Sequence, residues 1–496
     1  MNKPIKNVLI VGGGSSGWMA AAVLSRFFSK HLTIRLVESS EIGTVGVGEA
    51  TIPPIKTFND VLGINEAEFL KHTQGTIKLG IQFENWNRTG ACYMHAFGEI
   101  GRDLGMAGFH HYWLKARQEG VADDFWRYSL NQQAALHNRY QPMEKIPDTQ
   151  FPGLAHAYHL DAGLYAKMLR TYSEKLGVCR TEGKIQRVDK HPQSGAIAAV
   201  QLESGERLQA DLFIDCSGFR ALLIGEALGV DYDDWSHWLP CDRALAVASE
   251  AAETVTPYTR AIAHEGGWQW RIPLQHRTGN GLVYSHHHLS DDEATHTLLS
   301  NLDTPALADP RPIHFKTGRR VQQWYQNVVS LGLSSGFLEP LESTSLHLVQ
   351  QGLTRLIKLF PHNGIKPSDI EEYNRQSQIE FEKIRDFIIL HYHLNSKTDS
   401  PFWQQCREAP KPESLLRRIN LFSGSGRVFR EQDELFSETA WEQVMLGQGI
   451  IPEDYHPLVD NLDSDQLREF MQSWQRIVDK TVARMPSHNH FLASLK

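Results

Sequence analysis

The feature that most constrains the fold is a glycine-rich turn that directly follows a short apolar run. The stretch VLIVGGGSSGWMAAAVL passes through Gly12, Gly14 and Gly17 with G-x-G-x-x-G spacing and continues into alanine-rich helical sequence. Such glycines permit a tight turn, close approach of a pyrophosphate and close helix packing, while the helix N-terminus attracts the anion. A second apolar run, LTIRLVESSE, reaches Glu38, where an acid that binds ribose belongs. The pattern predicts a Rossmann-type dinucleotide-binding unit, and the alternative is a glycine turn with a structural role alone.

The chain carries one such fingerprint, whereas separate flavin and nicotinamide sites in two Rossmann units would show two. Two later segments fit turns that face a cofactor: ADLFIDCSGFRALLIG contains Asp215, and VVSLGLSSGFLEPLESTS contains Gly332 before a predicted helix. Backbone N–H groups at that helix start, on Thr344 and Ser345, can hold an anion. An ordinary capped helix explains the same residues equally well.

Size and charge exclude several classes of partner. With 496 residues and 41% hydrophobic content the chain can bury a large core, and a net charge of -8 without basic runs gives no nucleic-acid footprint. The lead MNKPIKNVLIVGGG has an apolar run too short for a signal peptide or a membrane span, so we expect a cytoplasmic protein. Five scattered cysteines without a C-x-x-C pair indicate neither a disulfide framework nor a thiolate zinc site.

The densest histidine cluster is SHHHLSDDE, residues 285–293, in a chain of 24 histidines. Successive strand residues face opposite ways, and no H-x-x-x-H spacing supports metal ligation. We therefore expect a surface hairpin segment there and no metal site. Strand patterns and turn signals predict antiparallel sheet over 266–288, and helical spacing follows Ser368 and Glu371, which form a predicted capping box.

Six segments spread over nearly the whole chain resemble the flavin-dependent halogenases of the tryptophan halogenase type: GGGSSGW, GVGEATIPP, DCSGFRALL, WQWRIP, GFLEPLESTS and LFSETAWEQVMLGQG. The most specific is W-x-W-x-I-P, which puts Trp268, Trp270 and Ile272 on one face of a predicted strand and Gln269 and Arg271 on the other. In the family, the bulky face lies near the flavin and keeps organic substrate away. The resemblance thus implies that the two tryptophans wall off the flavin compartment; the alternative is a pair of core tryptophans.

The resemblance implies an α/β fold, with a Rossmann-type FAD-binding module like that of flavin monooxygenases and a mainly helical substrate-binding module. We assign residues 1–95 and 155–360 to the first module and residues 96–154 and 361–496 to the second. The predicted FAD contacts are Gly12, Gly14, Ser15, Gly17, Glu38, Gly48, Ala50, Asp215, Gly332 and Leu338. All but Glu38 and Gly332 lie in the matching segments; these two come from the strand and turn patterns described above.

The chemistry that the resemblance implies has two stages. Reduced flavin and oxygen form a flavin hydroperoxide, chloride or bromide attacks its distal oxygen, and the hypohalous acid travels through an internal tunnel to a separately bound arene. The FADH2 would come from a separate flavin reductase, which is the expected partner. The protein itself is expected to be a monomer or a homodimer that contacts neither membrane nor nucleic acid.

By the same resemblance the catalytic residues are Lys78, in GTIKLGIQFENW, and Glu342, in PLESTS. Lys78 alternates with apolar neighbours and is predicted on the polar face of a two-faced strand, where the alternative is a solvated surface lysine. If buried, its ammonium can hydrogen-bond to hypohalous acid, or a lowered pKa can make it nucleophilic enough for a haloamine. Glu342 would stabilise and deprotonate the cationic arenium intermediate, with Glu339 as the decoy.

The family places halide against the backbone amides after this glutamate, which are those of Thr344 and Ser345 here. Members that halogenate free tryptophan usually have glycine at the second position. Serine keeps the N–H but tolerates a positive φ less well.

Three residues match those that sandwich an indole ring in the family: His95, Phe97 and Trp441. Members specific for tryptophan also carry a tyrosine pair and an acid that contact the amino acid backbone. This sequence departs from that pattern, with Phe429 and Arg430 at the pair and Phe436 at the acid. We therefore predict indole or an indole derivative as substrate, without a strict requirement for an α-amino acid.

Two further functions stay open at this point. A flavin-dependent aromatic monooxygenase would hydroxylate its substrate and would need neither halide nor Lys78. A flavin-binding protein without catalytic activity would show no turnover with oxygen. Halide preference and the position of halogenation are not readable from the sequence.

Overall fold

The computed structural model describes residues 4–43 and 48–495, and 22 strands and 14 α-helices lie within them. The strands are β1 Asn7–Val11, β2 Thr33–Glu38, β3 Glu49–Ala50, β4 Thr76–Lys78, β5 Gly80–Glu84, β6 Cys92–Ala96, β7 Ala157–Leu160, β8 Cys179–Glu182, β9 Ile185–Lys190, β10 Ile197–Leu202, β11 Arg207–Gln209, β12 Leu212–Asp215, β13 Tyr232–Asp234, β14 Arg243–Glu250, β15 Thr259–His264, β16 Gly267–Pro273, β17 Arg277–Tyr284, β18 Arg311–His314, β19 Gly318–Arg320, β20 Trp324–Tyr325, β21 Val328–Ser330 and β22 Gly336–Phe337. The helices are α1 Ser15–Phe28, α2 Pro54–Leu62, α3 Glu66–Thr73, α4 Phe109–Gln118, α5 Leu130–Leu136, α6 Ala162–Lys175, α7 Asp291–Ser300, α8 Ser345–Lys358, α9 Pro367–His393, α10 Pro401–Glu408, α11 Glu413–Ser425, α12 Glu438–Gly447, α13 Ser464–Arg484 and α14 His488–Ser494. None of the helices in these described ranges is long and apolar enough to cross a membrane.

Two compact units divide the chain, and each is assembled from three segments. The first unit comprises Met1–Gly75, Leu160–His237 and Ile313–Glu382, and the second comprises Thr76–His159, Trp238–Pro312 and Lys383–Lys496.

This division differs from the predicted modules. Residues 76–95, 155–159 and 238–312 were expected with the FAD-binding residues but lie in the second unit. The reason is strand pairing, because β5 pairs in parallel with β15 and in antiparallel with β6 within one sheet. Residues 361–382 also differ, since they were expected in the substrate-binding module and lie in the first unit. Such partners, distant along the chain, cannot be read from local sequence.

The first unit contains the predicted Rossmann-type core. Its six-stranded sheet has the order β20-β21-β12-β1-β2-β8, in which β1 pairs in parallel with both β12 and β2. The strand interior is apolar because the sheet is covered, and Leu9 and Ile10 are buried. In α1, the small residues Ala20, Ala21 and Ala22 are fully buried, which lets the helix pack closely.

The second unit is built around six strands in the order β14-β17-β16-β15-β5-β6. The antiparallel sheet predicted over 266–288 is confirmed for β16 and β17, which pair from Gly267↔Tyr284 to Pro273↔Thr278. The helical segments predicted for the substrate-binding module are also present, since α4, α5 and α10 to α14 lie in this unit. The unit thus combines a sheet with helices.

Two local predictions were wrong. The SHHH segment does not form a hairpin, because the chain turns after β17 and enters α7, whose first turn is capped by Ser290 and Glu293. The capping box predicted for Ser368 and Glu371 does not mark the helix start, because α9 already begins at Pro367. The fixed φ of proline suits the first helical turn.

Candidate active site

The glycines of the β1–α1 turn serve two different purposes. Gly12 has φ +112, and a Cβ there would lie 2.2 Å from the carbonyl oxygen of Cys216. A Cβ on Gly17 would lie 1.9 Å from the carbonyl oxygen of Gly12. The protein's own backbone therefore requires both glycines. Gly14, in contrast, has an ordinary φ of -74 and nothing within 4 Å of its added Cβ in the described residues.

Gly14 is the N-cap of α1 and has no side chain with which to cap it. The first N–H groups of a helix have no partner inside the helix, so this end offers them to an anion. The open space at Gly14 and the tight turn at Gly12 fit the pyrophosphate of a dinucleotide. This observation supports FAD binding at the predicted Gly12, Gly14, Ser15 and Gly17.

Glu38 lies at the end of β2, as expected for a ribose-binding acid. Its carboxylate accepts hydrogen bonds from Arg180 Nε at 2.5 Å and from Trp18 Nε1 at 3.4 Å. These contacts fix its orientation, and a ribose hydroxyl would share the carboxylate with Arg180.

Asp215, predicted as a cofactor contact, is fully buried and organises the turn after β12. One carboxylate oxygen accepts from the backbone and the hydroxyl of Ser217, at 3.0 and 2.6 Å. The other accepts from the backbone N–H groups of Leu223 and Ile224, both at 2.8 Å. The geometry therefore gives Asp215 a direct role in holding the turn that places Cys216 against Gly12.

The remaining predicted cofactor residues are also placed. Gly332 has φ +67, and a Cβ there would lie 2.3 Å from Ser16 Oγ, so this turn lies against the start of α1. Ala50 and Leu338 are buried, and Gly48 is buried too. The first residues of the GVGEATIPP motif, 46 and 47, lie outside the described residues.

The predicted carboxylate and halide residues lie in one short segment of the first unit. A 3-10 turn, Pro340–Glu342, is joined to α8 by Ser343 and Thr344. Glu339 and Glu342 are both buried, at 0% and 1% exposure, so burial does not separate the catalytic candidate from the decoy.

The residue with positive φ in this segment is Ser343, at φ 59, whereas Ser345 begins the helix. The serine at the second halide position therefore carries no backbone strain. Thr344 is fully buried, and its hydroxyl oxygen makes no hydrogen bond within the described residues. An uncapped helix start and an unsatisfied buried hydroxyl are compatible with an anion at Thr344 and Ser345.

Lys78 is fully buried, so the solvated-lysine alternative is wrong. The predicted two-faced strand is wrong as well, because β4 ends at Lys78 and β5 begins at Gly80, and Ile77 and Leu79 are as buried as Lys78. The ammonium lies 5.3 Å from the centre of the Phe97 ring.

Two buried histidines that sequence reasoning missed hold the strand of Lys78. His488 Nδ1 lies 2.8 Å from the carbonyl oxygen of Val255, and its Nε2 accepts from the backbone N–H of Ile77 at 3.2 Å. Burial lowers the pKa of His488 to about 4, so the ring is neutral at neutral pH. Because 411 residues separate His488 from Ile77, no local signal reveals this contact.

The second histidine, His159, pairs across from Thr76 in β7 and β4. Its ring nitrogens lie 2.8 Å from Thr76 Oγ1 and 2.9 Å from Thr259 Oγ1. Burial, then the neighbouring ammonium of Lys78, holds the pKa of His159 well below its usual value. A second positive charge beside Lys78 is thereby disfavoured.

The three predicted substrate residues lie in the second unit. His95 lies in β6, Phe97 follows directly, and Trp441 lies in α12. The side chain of Gln443 joins these elements, accepting from the backbone N–H of Ala96 at 2.9 Å and donating to its carbonyl oxygen at 3.1 Å.

Phe387, which the sequence analysis did not single out, contacts both ends of this aromatic group. Its ring centre lies 5.6 Å from that of His95 and 4.7 Å from that of Trp441. Phe436, at the position of the missing acid, stacks on Phe387 at 3.8 Å.

The nearby acid Glu434 is already engaged. It is 1% exposed, its Oε1 accepts from the indole N–H of Trp441 at 3.0 Å, and Arg418 donates to both of its carboxylate oxygens. The Arg418 guanidinium also lies 4.1 Å from the centre of the Trp441 ring. Phe429, at the position of the tyrosine pair, is 63% exposed. The Glu434 carboxylate is thus already paired with Arg418 and Trp441, and it orients the Trp441 ring.

Trp268 and Trp270 share a face of β16, with ring centres 6.2 Å apart. Trp268 is 1% exposed and packs near Trp86, which itself contacts Trp403 edge-on at 5.2 Å. The Trp270 ring occupies the space that a side chain on Gly281 would fill. Trp268 therefore belongs to an aromatic core, and Trp270 is the more accessible of the pair. No group of three metal-ligating side chains occurs in the part of the chain that the structure describes.

Two solved structures have the same fold as this chain over nearly its whole length, and both are enzymes of one class. One is Xcc4156, a flavin-dependent halogenase from Xanthomonas campestris, with 50% identity, 99% of each chain covered and a TM-score of 0.96. Another is BrvH, a flavin-dependent halogenase from Brevundimonas sp. BAL3, with 45% identity, 99% of each chain covered and a TM-score of 0.95. These likenesses define the class, which is that of flavin-dependent halogenases.

The sequence pattern of the tryptophan halogenase family matches residues 7–464. Tryptophan 7-halogenase RebH of Lentzea aerocolonigenes is 32% identical over 531 aligned residues, which cover 99% of both proteins. The chain therefore belongs to the tryptophan halogenase family, and the α/β fold and enzyme class predicted from the sequence are confirmed.

Proposed function

We propose that this enzyme halogenates indole or an indole derivative and does not require the α-amino acid group of tryptophan. The observation that carries the proposal is the buried Lys78, which lies beside Phe97 in the same unit as His95 and Trp441. A buried ammonium next to aromatic side chains suits the delivery of an electrophilic halogen to an electron-rich ring.

When bound, reduced FAD with oxygen supplies the oxidising power that converts chloride or bromide to hypohalous acid. The residues that would hold it are those of the β1–α1 turn, Glu38 and the turns at Asp215 and Gly332. A separate flavin reductase would provide FADH2. Amides of Thr344 and Ser345 would hold the halide.

In this proposal Lys78 positions the halogen in one of two ways. Its ammonium donates a hydrogen bond to hypohalous acid, or the neutral amine reacts with hypohalous acid to form a haloamine and water. The neutral His488 and His159 keep its strand in place without adding charge. Glu342 removes the proton from the halogenated ring. Trp270, with Trp268 behind it, keeps the arene from the flavin.

The substrate proposal depends on Glu434. A tryptophan ammonium would need a carboxylate to receive it, and Glu434 is paired with Arg418 and Trp441. Phe436 offers a ring at the position where tryptophan-specific members have an acid. Indole carries no charged group that needs a partner in these surroundings. The ammonium of a zwitterionic tryptophan would be buried here without a carboxylate partner.

A mass-spectrometric product assay tests the proposal. It uses the purified protein with FAD, a flavin reductase, NADH and indole, in bromide and in chloride. We expect a halogen isotope pattern from the wild type and a loss of about 100-fold or more in Lys78→Ala, while flavin binding and peroxide formation persist.

Lys397→Ala is the matched control, because Lys397 is another buried lysine near an aromatic ring, 4.7 Å from the centre of Trp403, and should stay active. Hydroxyindole in place of haloindole would establish the monooxygenase alternative. A kcat/KM for L-tryptophan far above that for indole would contradict the substrate proposal alone. In Trp270→Ala, new hydroxylated product would support the shielding role, and unchanged products would count against it.

A further inference from the structure

A cavity of about 300 Å³ lies in the second unit, and none of the residues assigned to the halogenation chemistry lines it. It is lined by side chains of β5, β15, β16 and β17, whereas Trp268 and Trp270 point from the opposite face of β16. The volume corresponds to about ten water molecules at about 30 Å³ each and falls at the lower end of small-molecule sites.

Four polar side chains form a row across this face. Gln82 is directly opposite Arg260, Arg260 is opposite Arg271, and Arg271 is opposite Asn280. All four line the cavity. Directly opposed residues in neighbouring strands point to the same side of the sheet, so the row follows from the pairing register.

Three atoms in this row are buried and make no hydrogen bond within the described residues: Gln82 Oε1, Arg271 Nε and Asn280 Oδ1. Arg271 and Asn280 are only 7% and 1% exposed. Buried polar atoms without partners cost free energy, so their concentration around one cavity indicates that something else satisfies them. The two amide oxygens each lack a hydrogen-bond donor, and the Arg271 Nε–H lacks an acceptor.

The charges of the row are already balanced. Arg260 donates to both carboxylate oxygens of Glu84, at 2.5 and 2.8 Å, and Asp303 receives hydrogen bonds from Arg260 and Arg271. The cavity therefore offers no net charge to attract an ionic ligand. It offers instead many groups that donate or accept, and the hydroxyls of Thr278 and Thr304 add to them.

We propose that this cavity is a second binding site that takes a neutral polyhydroxylated molecule of about the size of a monosaccharide. Hydroxyl groups both donate and accept, so one such ligand satisfies the two amide oxygens and the guanidinium N–H together. The Tyr258 ring and Pro273, which also line the cavity, provide apolar surface for its C–H faces. The site is independent of the halogenation proposal, and either can fail without the other.

Isothermal titration calorimetry of the full-length protein with D-glucose tests this site, with glycerol as a smaller neutral probe and glycine and acetate as charged ones. We expect saturable binding of glucose with a Kd of about 1 mM or tighter. Gln82→Met, which keeps the shape and removes the orphaned oxygen, should weaken binding about fivefold, the effect of one hydrogen bond.

The matched control is Gln132→Met, because Gln132 Oε1 is also buried without a hydrogen bond in the described residues but lies in α5 and does not line the cavity. It should leave glucose binding unchanged. Thr254→Trp, at an exposed position of the lining, should block binding without disturbing the buried row. No binding of glucose up to about 10 mM, preference for the charged probes, or insensitivity to Gln82→Met and Thr254→Trp would each overturn the proposal. A crystal structure with glucose that shows only water in the cavity would do the same.

Discussion

At the scale of single residues, two glycines of one motif are constrained by different partners. Gly12 is required by the carbonyl of Cys216, and any side chain there would meet the protein itself. At Gly14, nothing in the described residues lies within 4 Å of an added Cβ. Its lack of a side chain fits a group that approaches the helix start, which is where the cofactor is proposed to bind.

Gly14→Ala should therefore leave the apoprotein as stable as the wild type but weaken FAD binding. Saturating FAD at about 100 times its Kd stabilises a protein by about 3 kcal/mol, which a melting curve detects. We expect the FAD-dependent rise in Tm to shrink in Gly14→Ala. Gly12→Ala is the contrasting variant, because it should lower the Tm of the apoprotein itself. A full FAD-dependent rise in Gly14→Ala would contradict the cofactor position.

A pH dependence follows from His488. Its folded-state pKa of about 4 lies below the ordinary value of 6.5. As pH falls from 6.5 towards 4, the unfolded chain binds a proton that the folded protein refuses, so stability falls in this window.

His488→Gln keeps a donor for Val255 and an acceptor for Ile77 but does not titrate. Between pH 7 and pH 5 it should lose less stability than the wild type, by roughly 2 kcal/mol, in urea unfolding. His191→Gln, at an exposed position, is the control and should behave as the wild type does. Equal losses in His488→Gln and wild type would show that His488 does not supply the dependence.

At the scale of elements, one side chain sets the position of a helix against a strand. Gln443 in α12 bonds to both backbone groups of Ala96, the residue between His95 and Phe97. The register of α12 on β6 thus determines where Trp441 lies relative to those two residues.

Gln443→Leu should leave the two buried backbone groups of Ala96 unpaired and let α12 shift. We expect a KM for indole that is roughly tenfold higher, with FAD binding unchanged, in steady-state assays. Gln133→Leu is the control for lost stability, because Gln133 is a buried glutamine with two hydrogen bonds elsewhere in the second unit. If both variants raise KM equally, the effect is general loosening and not the position of α12.

At the scale of the whole molecule, what could be predicted depended on sequence separation. The β1–α1 turn and the β16–β17 pair involve neighbouring residues, and local spacing was enough to predict them. The burial of Lys78 was not predictable, because alternation suggested a polar face and the strand was in fact broken at Leu79. His488 and Phe387 were missed because their contacts with the site join distant segments. The two units differ from the predicted modules for the same reason, because each is assembled from three stretches of chain.

The two faces of β16 have a consequence for protein engineering and for natural length variation. The strand is seven residues long, with indoles on one side and the polar row on the other. Inserting or deleting one residue inside it would exchange the two sides for every residue beyond the change, pushing indole into the polar cavity and guanidinium into the aromatic core. Libraries of altered loop length should therefore spare Gly267–Pro273 and the buried Leu274, and place their changes at Gln275 and His276, which are not buried.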